Sequence, residues 1–173
     1  MRAIESASLV LEPQTATHAA EMFLVLSDPA IYEFENAPPP SVEWLRARFT
    51  KLETRASADG REQWLNWVIR VPASGLIGYV QATVRPDAHA AIAYELASAY
   101  WGRGLAHEAV GAMIFELVQH YGVRGLFAVL KQENRRSIRL LQRLDFSFAS
   151  SAQRAAHPIE PDETLMCRDL VRP

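Results

Sequence analysis

The chain has 173 residues, of which 49% are hydrophobic and 22% charged, and its formal net charge at pH 7 is -2. This length corresponds to one domain, which we expect to occupy residues 1–173, and the composition excludes a disordered chain. The slightly acidic balance argues against a nucleic-acid partner. Apolar runs stay below the ~18 residues of a membrane span, and the first residues lack the basic and apolar parts of a secretory signal. We therefore expect a cytoplasmic protein without membrane contact.

Hydrophobic periodicity predicts seven strands and four helices, in the order β-α-α-β-β-β-α-β-α-β-β. The predicted strands lie at residues 9–12, 64–71, 76–84, 90–97, 126–130, 146–149 and 164–170. The predicted helices lie at about 15–27, 41–56, 105–122 and 134–144. The three central strands have connections short enough for an antiparallel meander. This order predicts an α/β fold with a mixed, mostly antiparallel central sheet.

The segment with the clearest chemistry follows the fourth predicted strand. There a turn with two glycines, Gly102 and Gly104, leads at once into the long helix. The first turn of a helix leaves backbone N–H groups unpaired, and the helix dipole adds partial positive charge, so such a turn binds phosphate well. Arg103 adds a cation inside the turn. The alternative is a tight connection that needs glycine only for its geometry.

A second polar segment opens the last predicted helix. Asn134 precedes it, Ser137 lies in its first turn, and several basic side chains follow. An amide side chain suits the peptide-like groups of a ligand, and arginine suits phosphate. For Asn134 alone, a helix N-cap is the alternative, and both roles are compatible.

Together these two segments resemble the GNAT superfamily, which transfers acyl groups from acyl-CoA to amines, and within it the ribosomal-protein N-terminal acetyltransferase branch. Residues 101–106 resemble the family's Gln/Arg-x-x-Gly-x-Gly/Ala pyrophosphate loop, and residues 134–146 resemble its Asn-x-x-Ser…Leu-Gly-Phe segment. The resemblance covers about residues 9–170. The sequence departs from the family pattern at Trp101, usually Gln or Arg, at Asp145, usually glycine, and at Leu141, where many members carry a tyrosine.

This resemblance implies a sheet splayed between the fourth and fifth predicted strands and acetyl-CoA as the donor. Since the histidines show no ligand spacing, we expect no metal. The resemblance also implies that backbone N–H groups at the end of the fourth strand bind the pantetheine arm and polarise the thioester carbonyl. The residues implied for CoA binding are Leu96, Ala97, Ser98, Trp101, Gly102, Arg103, Gly104, Leu105, Ala106, Asn134, Arg135 and Ser137.

Two residues are candidates for catalysis. Glu95, at the end of the strand before the loop, is the candidate general base for the amine. The alternative is that Glu95 is a solvated strand residue and that ordered water, or Glu33 or Glu35 of the loop after the first helix, accepts the proton. The resemblance to the ribosomal-protein branch implies that Ser137, in place of the missing tyrosine, is the acid or hydrogen-bond donor to the leaving thiolate, and first-turn capping is its alternative. We do not expect Cys167, the only cysteine, to be a nucleophile, because single buried cysteines behave as small hydrophobes.

The acceptor is expected along the loop that follows the first helix. Tyr32, Glu33 and Glu35 there combine acidic and aromatic groups, which suits a cationic amine, although solvated loop charges are the alternative. The predicted activity is acetyl transfer from acetyl-CoA to a primary amine, on a small molecule or a protein N-terminus, by a monomer or homodimer. An acyl-CoA sensor and an interaction domain without turnover are the alternatives.

Overall fold

The computed structural model describes residues 1–34 and 37–170. Its strands β1–β8 are Ile4–Glu5, Val10–Pro13, Gln63–Val71, Gly75–Val84, His89–Leu96, Gly125–Lys131, Ser147–Phe148 and Glu163–Asp169. Its helices α1–α5 are Ala19–Val25, Val42–Leu52, Leu105–Tyr121, Arg135–Arg143 and Ser151–Ala156. The α/β prediction is confirmed. The prediction missed β1 and α5, which are too short, at two and six residues, to show a hydrophobic period.

All eight strands form one sheet in the order β1-β2-β3-β4-β5-β6-β8-β7. Every neighbouring pair is antiparallel except β5 and β6, which run parallel. Their pairing begins at His89 with Gly125 and ends at Ala91 with Phe127. Beyond that point the two strands diverge, so residues 92–96 and 128–131 border a gap in the sheet. This is the predicted splay.

The two faces of the sheet carry different helices. On one face, α3 and α4 pack on the main core, in which the side chain of Trp67 is fully buried and donates from Nε1 to the Arg2 carbonyl over 3.0 Å. On the other face, α1 and α2 pack on a smaller core that includes Val68 and Leu76. Burial of these apolar side chains is what fixes the helices on the sheet.

The alternation of β5 sends neighbouring side chains to opposite faces. Tyr94 packs with the α3–α4 core. Glu95 lies directly opposite Tyr79 in the register, and Tyr79 packs with the α1–α2 core. Because directly paired residues share a face, Glu95 lies on the α1–α2 side. The end of β5 therefore presents a phenol to one side of the gap and a carboxylate to the other.

Candidate functional site

A cavity of about 810 Å³ passes through the gap between β5 and β6. On the α3–α4 side it is bordered by the loop before α3 and by the first two turns of α4. On the α1–α2 side it is bordered by α2 and the segment before it. Residues 92–96 of β5 line the cavity between these two halves. One continuous space thus joins two differently built binding surfaces.

The loop before α3 offers backbone amides to this cavity. Gly104 caps the helix in the left-handed region, with φ 80°, and no side chain caps the N-terminus. The first intrahelical bond of α3 runs from the Glu108 N–H to the Gly104 carbonyl over 3.0 Å. The N–H groups of residues 105–107 therefore have no acceptor within the helix. A Cβ on Gly102 or Gly104 would meet no atom within 4 Å, so the space above this cradle is open to an anion.

Trp101 holds this loop against the end of β5. Its Nε1 donates to the Leu96 carbonyl over 2.8 Å. The guanidinium of Arg136, on α4, lies 3.4 Å from the centre of the Trp101 indole, a cation–π contact. An aromatic at this position therefore links the loop, the strand and α4. This explains how tryptophan serves where many members of the resembled family carry Gln or Arg.

The cations that border the cavity differ from the two predicted. Arg103 lies outside the lining, with its guanidinium 5.5 Å from the Tyr100 ring centre, and Arg135 is exposed outside the lining as well. Three arginines of α4 line the cavity instead: Arg136, Arg139 and Arg143. Their spacing of three and four residues places them on one helix face, and they belong to the basic segment that the sequence shows after Asn134.

The N-terminus of α4 is capped by Asn134. Its Oδ1 accepts from the Ser137 N–H over 3.0 Å. The predicted capping role of Asn134 is thus confirmed, and the amide nitrogen of the same side chain is not consumed by that bond. Both Asn134 and Ser137 line the cavity. The capping side chain is Asn134, so the alternative of a capping role for the Ser137 hydroxyl is wrong at this helix.

The structure corrects the predicted set of backbone donors at the end of β5. The Ala97 N–H donates to the Ile77 carbonyl over 2.9 Å, and the Ser98 N–H donates to Asp28 Oδ2 over 2.6 Å. Both amides are therefore already used within the protein. Because backbone groups alternate sides along an antiparallel strand, the amides of Leu96 and Tyr94 point away from β4 toward the gap. Of the three predicted donors, Leu96 alone has this orientation.

Two hydroxyl groups meet on the α3–α4 side of the gap. The Tyr94 hydroxyl lies 3.4 Å from the Ser137 carbonyl oxygen, and both residues line the cavity. Burial raises the pKa of Tyr94 to about 12, against the opposing effect of its hydrogen bond to Ser137. Tyr94 therefore stays protonated, and able to donate, across the physiological range. Sequence reasoning missed it because nothing in the strand pattern showed that β5 and α4 converge here.

Glu95 lines the α1–α2 side of the cavity among phenols. Burial raises the pKa of Tyr32 to about 12 and also raises the pKa of Tyr79, and in both the nearby charge of Glu95 contributes. The same charge contributes to the raised pKa of Tyr94. The carboxylate is half-buried at the border of the two halves. Glu95 thus brings a negative charge to the border between the two halves of the cavity.

Of the three predicted acceptor residues, Tyr32 lines the cavity and Glu33 does not. Tyr32 lines the cavity, and its hydroxyl donates to the Leu26 carbonyl over 2.6 Å. Glu33 lies outside the lining and forms an ion pair with Arg136, 3.5 Å from Oε2 to Nη2. This ion pair therefore links the loop after α1 to α4. Glu35 lies outside the described residues.

Asp28 is a structural residue of the site that sequence reasoning missed. Its Oδ1 accepts from the Ala30 N–H over 3.0 Å and its Oδ2 from the Ser98 N–H. Hydrogen bonds from the side chain and backbone of Ser98 hold the pKa of this carboxyl below its usual range. Asp28 thus links the loop after α1 to the end of β5, and so connects the two halves of the cavity.

Other chemistry finds little support in the described part of the chain. Cys167 is buried in β8, and burial raises the pKa of its thiol, which disfavours the nucleophilic thiolate. Within residues 1–34 and 37–170, no group of three His, Cys, Asp or Glu side chains could hold a metal ion. No helix there is long and apolar enough to cross a membrane.

Comparison with known proteins identifies both the sequence family and the fold. Residues 8–147 match a family model described as an acetyltransferase (GNAT) domain, whereas curated proteins gave no match. Among solved structures, a RimL ribosomal L7/L12 alpha-N-protein acetyltransferase in complex with coenzyme A superposes with a TM-score of 0.80. It is 16% identical over 97% of this chain and 98% of that chain.

Two further solved structures have the same fold. A ribosomal-protein-S5-alanine acetyltransferase from Vibrio fischeri has a TM-score of 0.77 and 16% identity over 99% of each chain. The microcin C7 self immunity acetyltransferase MccE, in complex with acetyl-CoA and AMP, has a TM-score of 0.77 and 16% identity over 95% of this chain and 93% of that chain.

Proposed function

Since the chain belongs to the acetyltransferase (GNAT) domain family, we propose that it transfers the acetyl group of acetyl-CoA directly to a primary amine while both are bound. The observation that carries this proposal is the single cavity through the gap between β5 and β6. An anion cradle lies on one side and a carboxylate on the other. Holding two reactants in one cavity supplies the effective concentration that an uncatalysed reaction lacks.

CoA would occupy the α3–α4 half. The amides at the start of α3 and the guanidinium groups of Arg136, Arg139 and Arg143 would bind its phosphates. Asn134 would offer its amide nitrogen to the pantetheine arm. The arm would then run along the gap, where the Leu96 amide, which points away from β4, would donate to the thioester carbonyl. Because Gly102 and Gly104 carry no side chain, a pyrophosphate would have room to approach the backbone amides of the loop closely.

The amine would enter from the α1–α2 half and meet the thioester beside Glu95. Its nitrogen attacks the carbonyl carbon, the C–N bond forms and the C–S bond breaks. The electron pair of that bond leaves on sulfur, and the proton of the amine goes to Glu95, directly or through water. A hydrogen bond from Ser137 or Tyr94 would stabilise the thiolate. The two hydroxyls would thereby replace the tyrosine that the Leu141 position lacks.

Replacing residues at the α4 N-terminus should separate binding from turnover. Asn134→Ser keeps a neutral side chain that caps helices well but removes the amide donor, so we expect CoA affinity to fall by about 2- to 13-fold. Ser137→Ala should instead lower kcat, by about tenfold or more if its hydroxyl bonds to a thiolate, with the CoA dissociation constant nearly unchanged. Calorimetry and initial rates measure the two effects.

Tyr32→Phe is the matched control, because its hydroxyl is bound to the Leu26 carbonyl within the same cavity. Loss of CoA binding by Ser137→Ala as large as that by Asn134→Ser would show that Ser137 contributes to CoA binding and not to turnover alone. A Ser137→Ala kcat equal to that of wild type would remove Ser137 from the reaction and leave Tyr94 as the donor.

The function itself is tested by incubating the protein with acetyl-CoA and a panel of primary amines. We expect CoA thiol to be released in step with acetylated amine, measured by thiol titration and mass spectrometry. Binding of CoA without release for any amine would favour an acyl-CoA sensor. No CoA binding at all would favour an interaction domain.

A further inference from the structure

A second hollow lies beneath α2, next to the cavity that Glu95 lines. It has a volume of about 260 Å³ and shares Arg48, Leu52 and Gln81 with the main cavity. The two hollows therefore adjoin each other. We call the α1–α2 half of the main cavity together with this hollow the acceptor groove, and its far end is the second hollow, whose lining includes Lys51 and Asn66.

The floor of the acceptor groove consists of amide side chains where a helix-covered sheet face would normally be apolar. Asn66 and Gln81 are direct cross-strand partners of β3 and β4. Gln14 lines the main cavity beside them, its N–H bound to the Asn66 carbonyl over 2.9 Å. Gln14 is 3% exposed and Asn66 5%.

The Gln14 amide nitrogen has no hydrogen-bond partner within residues 1–34 and 37–170. A buried amide without a partner is costly, and a ligand oxygen would satisfy it. Gln14, Asn66 and Gln81 are the kind of groups that pair with the carbonyls and N–H groups of a peptide. The floor therefore favours a ligand with peptide-like polar groups over an apolar one.

The roof of the groove carries two cations. Arg48 and Lys51 lie three residues apart on one face of α2, and both are exposed where they line the second hollow. The Arg48 guanidinium lies 5.7 Å from the Trp44 ring centre. Glu62 accepts from Trp64 Nε1 over 3.3 Å and does not line either hollow.

The opposite end of the groove has the opposite charge. Glu95 is the one carboxylate among the described residues that line either hollow. In the register Glu95 pairs with Tyr79, and Gln81 is the next residue of β4 on that face, so Glu95 and Gln81 are diagonal neighbours about 7–8 Å apart. Arg48 lines both hollows, and Lys51 lines the second. A ligand that reaches from Glu95 past Gln81 must be longer than a free amino acid, and two or three extended residues reach about 7–11 Å.

We propose that the acceptor is an extended, peptide-like primary amine whose far end is anionic. Its amine lies at Glu95, its carbonyl and amide groups lie over Gln81 and Asn66, and its carboxylate lies between Arg48 and Lys51. This inference rests on the proposed function. It adds to that function the charge and the length of the acceptor.

The test compares four acceptors at saturating acetyl-CoA: trialanine with a free carboxylate, its C-terminal amide, the amide of Ala-Ala-Glu, and free alanine. We expect the first and third to exceed the second about tenfold in kcat/KM, because both place an anion at the far end. Free alanine should be poor because it is too short. The amide of Ala-Ala-Glu distinguishes an acidic side chain from a chain terminus as the source of the anion.

Charge reversal makes the test specific to the groove. Arg48→Glu with Lys51→Glu should abolish the preference for an anion and favour the amide of Ala-Ala-Lys, with the KM for acetyl-CoA unchanged. Arg46→Glu on the same helix is the control, since Arg46 lines neither hollow. Equal kcat/KM for the three tripeptides, or a shift no larger than that of Arg46→Glu, would overturn the proposal.

Failure of the proposed function gives a different result. If no acceptor is acetylated, calorimetry with the same peptides on the CoA-loaded protein still measures peptide binding in the groove. Preferential binding of the anionic peptides would then support the proposed recognition of an anionic peptide by a protein that does not catalyse the transfer. Equal binding of the free and amidated tripeptides, or none, would overturn it.

Discussion

Glu95→Gln should lower kcat by roughly 10²- to 10⁴-fold at neutral pH, the range in which a positioned base contributes. The substitution keeps the shape of the side chain but removes the proton acceptor. Glu95 lines the cavity at the gap, opposite the anion cradle, where the amine must lose its proton. The deficit should shrink as pH rises toward the pKa of the amine, because free amine then no longer depends on a base. A pH–rate profile measures both effects.

Glu33→Gln is the matched control for Glu95→Gln. Its carboxylate is exposed and forms an ion pair with Arg136, so its loss should change kcat far less and without the recovery at high pH. A Glu95→Gln profile that overlays that of wild type would remove Glu95 from the mechanism. Ordered water would then be the proton acceptor.

Gly104→Val should weaken CoA binding by about a hundredfold or more. The side chain would occupy the space above the amide cradle, and a β-branched residue is strained at the φ of 80° found there. Loss of two charge-assisted hydrogen bonds from phosphate to the helix start accounts for that magnitude. Calorimetry with CoA measures it.

Gly60→Val separates the loss of the cradle from backbone strain. Gly60 also has positive φ, 69°, and open space around its Cβ, but it lies in a turn away from the cavity. We expect the two variants to lose similar stability in thermal unfolding, and only Gly104→Val to lose CoA. A folded Gly104→Val protein with wild-type CoA affinity would show that the cradle is assigned to the wrong loop.

The parts of the site that the sequence predicted are those fixed by local structure. Two glycines directly before the long amphipathic helix predict the cradle. The turn has positive φ at Gly102 and Gly104, and glycine adopts that conformation without a steric penalty. Asn134 caps α4 as its position in the sequence predicts. Asp145, in place of a glycine, adopts the left-handed conformation that the turn requires, with φ 61°.

The parts that the sequence did not predict depend on how distant elements meet. The strand register decides that the Ala97 amide bonds to β4 while the Leu96 amide points to the gap. The pairing of Asp28 with Ser98 and of Glu33 with Arg136 joins residues far apart in the chain. No periodicity carries such information, because it is set by tertiary packing.

The central claim is that acetyl transfer occurs directly between two ligands in one cavity. The most direct measurement mixes excess protein with acetyl-CoA, without amine, and follows free CoA thiol together with the intact mass of the protein. We predict no thiol release and an unmodified chain, followed by release on addition of an acceptor. Stoichiometric release before the amine is added, with one acetyl group on the protein, would contradict direct transfer and show an acetyl-enzyme instead.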